Sequence, residues 1–365
     1  MTQEALMADS KQAPLDAEAA AKAAFASVQD RPFPDDIFTA PELRWAVIGC
    51  GVIANQMAQS LALAGRKLAG VANRTLSKAQ AFAEQYGIEK VYDTVEDLYA
   101  DPDIDAVYIT TPHNTHITYL RAALAAGKHV LCEKAITLNS AELDEARAIA
   151  AEHNVVLMDA TTVLHMPLYQ ELRRRMDAGE FGRMNLAQLN FGSYKEYGDL
   201  TNRFYNRNLA GGAMLDIGVY ALSVMRLFMA SQPVEVVSLG NTCKTGVDVA
   251  GGIVCRNAEQ QLGVVSLTLH SKQPKRSVIS FDNCYVEVNE YPRADHATIV
   301  WTADGHREEV AAGTEAYALC YEMADLEQAV AGDDSKRELL DYASDVMELM
   351  TKLRADWGVV YPEEE

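Results

Sequence analysis

Positive charge is scarce in this chain. Its 365 residues include 32 lysines and arginines but 52 aspartates and glutamates, which gives a formal net charge of −20. Surfaces that bind nucleic acid or anionic membrane are nearly always basic. We therefore expect neither nucleic acid nor a membrane as a partner, and a small molecule is the better candidate.

Paired cysteines and long apolar runs are missing as well. The six cysteines stand singly in apolar segments, without a C-x-x-C motif or the spacing of a metal site. This pattern is typical of reduced core thiols, so we predict no metal ion and a cytoplasmic location. No run approaches the length of a membrane span, and Met1-Thr2-Gln3-Glu4 lacks the basic and apolar regions of a secretion signal.

The length predicts more than one domain, each able to bury its own core. Residues 1–42 form an N-terminal arm, in which a helix-prone stretch precedes Pro32, Pro34 and Pro41. Because the arm carries apolar side chains, we expect it to pack on its own or a neighbouring subunit, with a disordered tail as the alternative. Those side chains are Phe25, Phe33, Ile37 and Phe38.

Strand-like and helix-like segments then alternate from residue 44 to about residue 160. The predicted strands lie at 44–49, 67–72, 106–110, 128–132 and 155–159, and the predicted helices near 53–64, 76–86, 115–126 and 140–153. Such alternation indicates a parallel sheet with helices on both faces, joined by right-handed crossovers.

The turn after the first predicted strand has the pattern of a pyrophosphate site. In G-C-G-V-I-A at residues 49–54, the glycines let the backbone turn sharply and approach a ligand, and the unpaired N–H groups of the following helix favour an anion. An ordinary glycine-rich turn is the alternative for this motif alone. Taken with the alternation, it assigns residues 43–165 to a Rossmann dinucleotide-binding domain. The predicted cofactor-binding residues of the turn are Gly49, Gly51, Val52 and Ile53.

The end of the second predicted strand bears on which dinucleotide binds. An NAD site usually has an acid there for the ribose 2′-hydroxyl, whereas a 2′-phosphate needs an arginine. This chain has Asn73 and Arg74, with Lys78 one turn further on, and no acid between residues 70 and 80. Because Arg74 can stack on adenine and pair with a phosphate, we predict NADP, with NAD as the alternative.

Two later segments place polar residues at strand ends, where parallel sheets bind their ligands. Glu133 and Lys134 end the fourth predicted strand, and because a lysine is costly to bury there, Lys134 belongs either to an ion pair with Glu133 or to a catalytic site. We predict that Glu133 and Lys134 also contact the cofactor. The loop after the third strand supplies further cofactor-binding candidates, and helix capping is the alternative role of Thr111 and Asn114. These candidates are Thr111, Pro112, Asn114 and His116.

After residue 180 the pattern changes to alternating apolar and polar residues, which is typical of antiparallel strands with one open face. Such stretches lie at 185–191, 234–239, 261–269 and 285–289, and helices are predicted near 317–331 and 336–356. We assign residues 166–365 to an α+β domain with an open, mainly antiparallel sheet flanked by helices. Within it, Asp216 and Tyr220 share one face of an apolar helix; a structural hydrogen bond is their alternative role.

Together these motifs resemble the Gfo/Idh/MocA family of nicotinamide-dependent oxidoreductases, from residue 44 to about residue 355. The 49–54 turn, the 111–116 loop and Glu133-Lys134 match in kind, order and spacing, whereas Ala135 stands where the family usually has proline. The stretch around Asp216 resembles the family's Asp-x-Gly-x-His helix with Tyr220 in place of histidine. That replacement is similar to the branch containing dimeric dihydrodiol dehydrogenase, D-xylose dehydrogenase and glucose-fructose oxidoreductase.

The resemblance implies a catalytic site of Lys134, Asp216 and Tyr220, in which Lys134 lowers the pKa of the Tyr220 phenol for proton transfer. His165 is the alternative proton carrier, and Lys195 is better interpreted as a solvated surface lysine. The implied reaction is hydride transfer between nicotinamide and a hydroxyl or carbonyl carbon of a sugar, polyol or trans-dihydrodiol. The resemblance further implies that residues 166–365 bind the substrate and form a homodimer or homotetramer through the second sheet. An NAD-dependent glycosidase and a non-catalytic NADP-sensing regulator are the alternative functions.

Overall fold

Two β-sheets organise the part of the chain that the computed structural model describes, residues 23–28 and 31–365. The strands of the first sheet are β1 (Trp45–Ile48), β2 (Gly70–Ala72), β3 (Lys90–Tyr92), β4 (Ala106–Ile109), β5 (His129–Glu133) and β6 (Leu157–Ala160). All of them are parallel, and they lie in the order β3-β2-β1-β4-β5-β6. The predicted Rossmann-type fold of this domain is confirmed.

Helices cover the faces of this sheet. They are α1 (Val52–Leu63), α2 (Leu76–Tyr86), α3 (Val95–Ala100), α4 (His116–Ala125) and α5 (Ser140–Glu152). Strand β1 is buried along its whole length because its four residues are apolar, and it pairs with β2 on one side and β4 on the other. The order of the strands reverses between β1 and β4, which opens a crevice at their carboxyl ends.

The second sheet has eight strands, and all but one of its neighbouring pairs are antiparallel. Its strands are β7 (Met184–Gly192), β8 (Pro233–Thr242), β9 (Asp248–Asn257), β10 (Leu262–Thr268), β11 (Gln273–Phe281), β12 (Cys284–Asn289), β13 (His296–Trp301) and β14 (Arg307–Ala311). They lie in the order β14-β13-β12-β11-β7-β10-β9-β8, and β7 and β10 form the parallel pair. The prediction of an open, mainly antiparallel sheet is confirmed.

The remaining helices are α6 (Pro167–Asp177), α7 (Val219–Phe228), α8 (Ala318–Val330), α9 (Asp334–Arg337) and α10 (Leu339–Asp356). Helix α7 packs on β7, β10 and β11 and against α10, so it covers one face of the second sheet. Helix α8 instead returns to the first domain, where Leu319, Met323 and Leu326 share a core with Trp45 of β1. Each such buried side chain contributes roughly 1.5–3 kcal/mol. Residues 318–330 therefore help to complete the dinucleotide-binding domain, although they follow residue 165.

The described part of the N-terminal arm packs on the same chain. Residues 23–28 are helical, and Phe33 contacts Phe38 and the ring of Tyr317, whose centroid is 4.9 Å away. The Arg66 guanidinium lies 4.0 Å from the Phe38 ring centroid, and Ile37 is buried. Most of the helix-prone stretch lies outside the described residues.

One stretch, Arg207–Phe228, is long and apolar enough to span a membrane by length and composition alone. Of its most apolar window, 83% is buried inside the protein. It contains α7, so its apolar character is explained by packing between the second sheet and α10.

Candidate active site

The turn between β1 and α1 leaves room for a ligand at the start of the helix. Gly49 has a φ of +105°, and a Cβ atom there would lie 2.7 Å from Thr110 Oγ1, so glycine is required. Gly51 caps α1 without a side-chain hydrogen bond, and no heavy atom lies within 4 Å of where its Cβ would be. The neighbouring Val52 is 73% exposed. The first N–H groups of α1 thus lie beside an open cradle that fits a pyrophosphate.

A cavity of about 160 Å³ adjoins the carboxyl end of β2. Its lining residues are Ala72, Asn73, Arg74, Asp93, Thr94, Val95 and Tyr119. The Arg74 side chain is exposed. The Asn73 amide donates a hydrogen bond to Thr75 O at 3.0 Å. Lys78 is also exposed, but it does not line the cavity. The aromatic ring and the guanidinium suit the adenosine part of a dinucleotide. Asp93 adds a carboxylate that the sequence does not reveal, because it follows β3, a strand of three residues.

The loop after β4 is held in place by its own side chains. His116 is fully buried; its Nε2 lies 2.8 Å from Thr111 O and its Nδ1 lies 3.1 Å from Ala135 O. The Asn114 amide donates to Asn208 O and to Glu363 Oε1, which ties the loop to the second domain. Both side chains were predicted to bind cofactor. They hold the loop in place through these contacts, and Asn114 Oδ1 is buried without a hydrogen-bond partner among the described residues. Thr111 and the exposed Pro112 lie at its start.

Lys134 lies beside both of the other predicted catalytic residues, Asp216 and Tyr220. Its Nζ donates to Asp216 O at 2.8 Å, lies 3.4 Å from Asp216 Oδ1 and lies 4.9 Å from the centroid of the Tyr220 ring. Glu133 accepts a hydrogen bond from the Tyr108 hydroxyl, and the salt-bridge partner of Lys134 is Asp216. The peptide bond between Lys134 and Ala135 is cis. The structure therefore brings Lys134, Asp216 and Tyr220 together from two domains.

A widened helical turn presents Asp216. Residues Met214–Gly218 form a π-helical turn that continues into α7, a feature often found at functional sites. The Asp248 carboxylate accepts a hydrogen bond from Met214 N at 2.6 Å, and a Cβ on Gly212 would collide with that carboxylate. The Tyr361 hydroxyl donates to Gly211 O at 2.6 Å. Groups from β9 and the chain end thus anchor the turn, which the apolar spacing predicted as an ordinary helix.

The predicted catalytic residues differ in charge at neutral pH. Burial raises the pKa of Asp216, but Lys134, Arg203 and Lys195 outweigh burial and hold it well below its ordinary value. Burial lowers the pKa of Lys134, but Tyr220 and Asp216 raise it above its ordinary value. Burial raises the pKa of Tyr220, and Lys134 offsets only part of that. The prediction of a lowered Tyr220 pKa was therefore wrong, because desolvation of the phenol outweighs the nearby ammonium.

His113 also lies in the crevice, although no role was predicted for it. One ring nitrogen lies 3.0 Å from Lys134 O and the other 3.3 Å from Ala210 O. Burial and the Lys134 cation lower the pKa of His113 to about 3, so the ring is neutral. It connects the backbone of Lys134 to the segment before Asp216.

Two cations lie beside the predicted catalytic residues. Lys195 is partly buried, with its Nζ 4.2 Å from the centroid of the Phe204 ring. Arg203 lies against the same ring, with its Cζ 4.1 Å from the centroid, and its Nη2 is 3.5 Å from Asp216 Oδ1. The interpretation of Lys195 as a solvated surface lysine was therefore wrong, because its ammonium lies against the Phe204 ring and is influenced by Asp216 and Arg203.

His165, the alternative proton carrier, has a different environment. Its ring is buried, with Nδ1 2.9 Å from Asp325 Oδ2 and Nε2 2.8 Å from Asp159 O. Burial lowers the pKa of His165, but the Asp325 carboxylate raises it above its ordinary value. Both nitrogens are occupied by protein partners, so His165 acts as a structural ion pair with Asp325.

Comparison with known proteins matches both halves of the chain to one family. Residues 43–161 match a family model described as an oxidoreductase family with an NAD-binding Rossmann fold, and residues 169–287 match the GFO/IDH/MocA C-terminal domain. The trans-1,2-dihydrobenzene-1,2-diol dehydrogenase of Mus musculus is 32% identical over 244 residues, which are 65% of this chain and 72% of that protein. The Xenopus laevis protein of the same name is 27% identical over 332 residues, covering 87% and 99%.

Solved structures agree with this relationship. The 3-ketoreductase KijD10 of Actinomadura kijaniata, in complex with NADP and TDP-benzene, is 25% identical with a TM-score of 0.73, covering 86% of this chain and 98% of that one. A levoglucosan dehydrogenase in complex with NADH and levoglucosan shares the fold at 19% identity, with a TM-score of 0.75 and coverage of 85% and 97%. The chain has an NAD(P)-binding Rossmann domain and belongs to the Gfo/Idh/MocA family of oxidoreductases.

Proposed function

We propose that this oxidoreductase prefers NADP and transfers a hydride to or from a sugar, polyol or trans-dihydrodiol. In this proposal Lys134 and Tyr220 form the proton-transfer pair. The observation that carries the proposal is the placement of the Lys134 ammonium, 2.8 Å from Asp216 O and 4.9 Å from the Tyr220 ring centroid. The names of the relatives, which are dehydrogenases of a trans-dihydrodiol, support this substrate class. So do the sugar-like ligands of the two solved structures.

The residues of the first domain fit the cofactor. Gly49 and Gly51, with Val52 and Ile53, would hold the pyrophosphate against the start of α1, where a Cβ at Gly49 would clash. Arg74 would pair with a 2′-phosphate, and Asp93 in the same cavity is the group that would favour a free ribose hydroxyl. When bound, the nicotinamide supplies or accepts the hydride.

The protein's own groups account for the proton. In the direction of reduction, the neutral Tyr220 phenol donates its proton to the carbonyl oxygen of the substrate and becomes a phenolate. The Lys134 cation stabilises that phenolate, and Asp216 keeps Lys134 in position through its backbone and side-chain oxygens. In the reverse direction the phenolate takes the hydroxyl proton. The raised pKa keeps Tyr220 protonated, which is the form that reduction requires at the start of the step.

We also infer that the open face of the second sheet forms a homodimer or homotetramer contact. Val237 and Leu239 of β8 are 75% and 83% exposed, and Val254 of β9, which pairs with Val237, is 47% exposed. Leu262 of β10 lies on the same face and is 40% exposed. A contiguous apolar patch of this kind is typical of a protein–protein contact.

A substrate panel tests the function. The protein is incubated with NADP or NAD, in oxidised or reduced form, and nicotinamide absorbance is followed. The compounds tested are aldoses, ketoses, inositols and trans-dihydrodiols, together with the matching carbonyl compounds. We expect turnover with at least one class, faster with the NADP couple. Release of a sugar without net change in absorbance would instead establish the glycosidase, and NADP-dependent binding of a protein without turnover would establish the regulator.

A further inference from the structure

The mouth of the catalytic crevice has more positive charge than its carboxylate neutralises. Lys134 Nζ and Arg203 Nη2 lie 3.4 and 3.5 Å from the same Asp216 oxygen. Lys195 lies close enough for Asp216 to be the strongest charged influence on its pKa. The next cation, Lys275, is already paired with Glu290 at 2.7 Å. Asp216 is therefore the main carboxylate for three cations, with Glu133 a weaker influence on Lys134, in a chain whose net charge is −20.

Lys195 is the least compensated of these cations. Among the residues that the structure describes, its Nζ has neither a hydrogen-bond acceptor nor a carboxylate within bonding distance, and its contact is the Phe204 ring at 4.2 Å. Burial lowers its pKa, Asp216 raises it, and Arg203, Lys134 and Lys275 lower it further. A partly buried ammonium with this environment is stabilised by any anion that reaches it.

Phe204 holds the Lys195 and Arg203 charges near each other. Both lie against the same ring, at 4.2 and 4.1 Å from its centroid, so their separation cannot exceed the sum of these distances. The Arg203 side chain is 60% exposed, which leaves most of its guanidinium donors available. Each of these groups, an ammonium on a flexible stem and a planar guanidinium, is a donor suited to a carboxylate or a phosphate.

We propose that the substrate of the hydride-transfer reaction carries an anionic group, a carboxylate or a phosphate ester, and that Lys195 and Arg203 bind this group at the mouth of the crevice. The inference rests on the proposed function, and it narrows the substrate class from sugars, polyols and trans-dihydrodiols in general to their acidic derivatives. Lys134 stays committed to Asp216 and Tyr220, so the anionic group lies apart from the carbon that exchanges hydride.

Equilibrium binding to the NADP-loaded protein tests this site separately from turnover. The probes are D-glucose, D-glucuronate and D-glucose 6-phosphate, which share a ring and differ in charge, titrated calorimetrically at low and high salt. The variants are Lys195→Gln and Arg203→Gln, with Lys195→Arg as the charge-conserving variant. Lys352→Gln, an exposed lysine of α10 that pairs with Asp356, removes the same charge far from the crevice.

We expect at least one acidic probe to bind about tenfold tighter than D-glucose, and this preference to shrink at high salt. Each Gln variant of the crevice should lose the preference without changing D-glucose binding, whereas Lys195→Arg and Lys352→Gln should keep it. The acidic probe that binds more tightly shows whether the site prefers a carboxylate or a phosphate. Failure of both acidic probes to bind more tightly than D-glucose, or a preference that survives both Gln variants, overturns the inference. Absence of hydride transfer with every compound, while the anion preference remains, would instead refute the proposed reaction.

Discussion

Replacing Arg74 by alanine tests how the protein distinguishes its two possible cofactors. Arg74 and Asp93 line one cavity at the end of β2, so the 2′ position of the adenosine ribose would meet a guanidinium and a carboxylate together. A charge-assisted hydrogen bond contributes about 1.5–3 kcal/mol, which corresponds to roughly 10- to 150-fold in affinity. Because Arg74 is exposed and solvent screens its charge, we expect the lower end, about tenfold.

The assay is fluorescence titration of NADPH and NADH with wild type, Arg74→Ala and Asp93→Asn. Arg74→Ala should weaken NADPH about tenfold and leave NADH unchanged, because NADH has no 2′-phosphate. Asp93→Asn is the matched control, since it removes a charge of opposite sign from the same cavity; it should strengthen NADPH relative to NADH. If Arg74→Ala weakens both cofactors equally, the 2′-phosphate assignment is refuted.

Three further predictions concern stability and assembly. Glu364→Ala leaves the Arg354 guanidinium, which is 2% exposed, without its carboxylate at 2.8 Å, so urea denaturation should show a loss of about 3 kcal/mol in the free energy of unfolding. Glu348 is exposed and lies on α10 with Arg354, and Glu348→Ala should change the free energy of unfolding little. Burial and the neighbouring Glu133 raise the pKa of Glu322, so the ionisation of Glu322 opposes folding above its ordinary pKa of 4.5. The variant Glu322→Gln should therefore raise the melting temperature more at pH 8 than at pH 5. An equal rise at both pH values would contradict this reasoning. Leu239→Asp places a charge on the open sheet face and should shift sedimentation toward monomer, and an unchanged assembly would remove that face from the contact.

Local backbone requirements explain why much of the first domain is predictable. The bounds of β1 and α1 agree with the sequence to within two residues, because a buried apolar strand, a turn at Gly49 and a helical apolar spacing follow one another directly. The strand β3 and helix α3 were not predicted, since three and six residues are too few to display a period. In the second sheet, β9, β11, β13 and β14 were not predicted either.

The electrostatics of the site depend on tertiary contacts that the sequence does not contain. That Lys134, Asp216 and Tyr220 share a site follows from the family resemblance, but the raised pKa of Tyr220 depends on how deeply the phenol is buried. Lys195 could not be distinguished from a surface lysine, because its environment is created by Phe204, which approaches it only in the folded chain. The π-helical turn at Asp216 likewise depends on Asp248, more than thirty residues away.

Turnover of the Tyr220→Phe variant tests most directly the central claim that the Tyr220 hydroxyl transfers the proton. The substitution removes the hydroxyl that would transfer the proton and keeps the ring beside Lys134. Tyr197→Phe is the control, because Tyr197 is 37% exposed and packs against Tyr205, outside the proton path. With the substrate found in the panel, Tyr220→Phe should lower turnover about 10²- to 10⁴-fold and leave NADP affinity unchanged, while Tyr197→Phe stays close to wild type. Turnover of Tyr220→Phe equal to that of wild type would contradict the account.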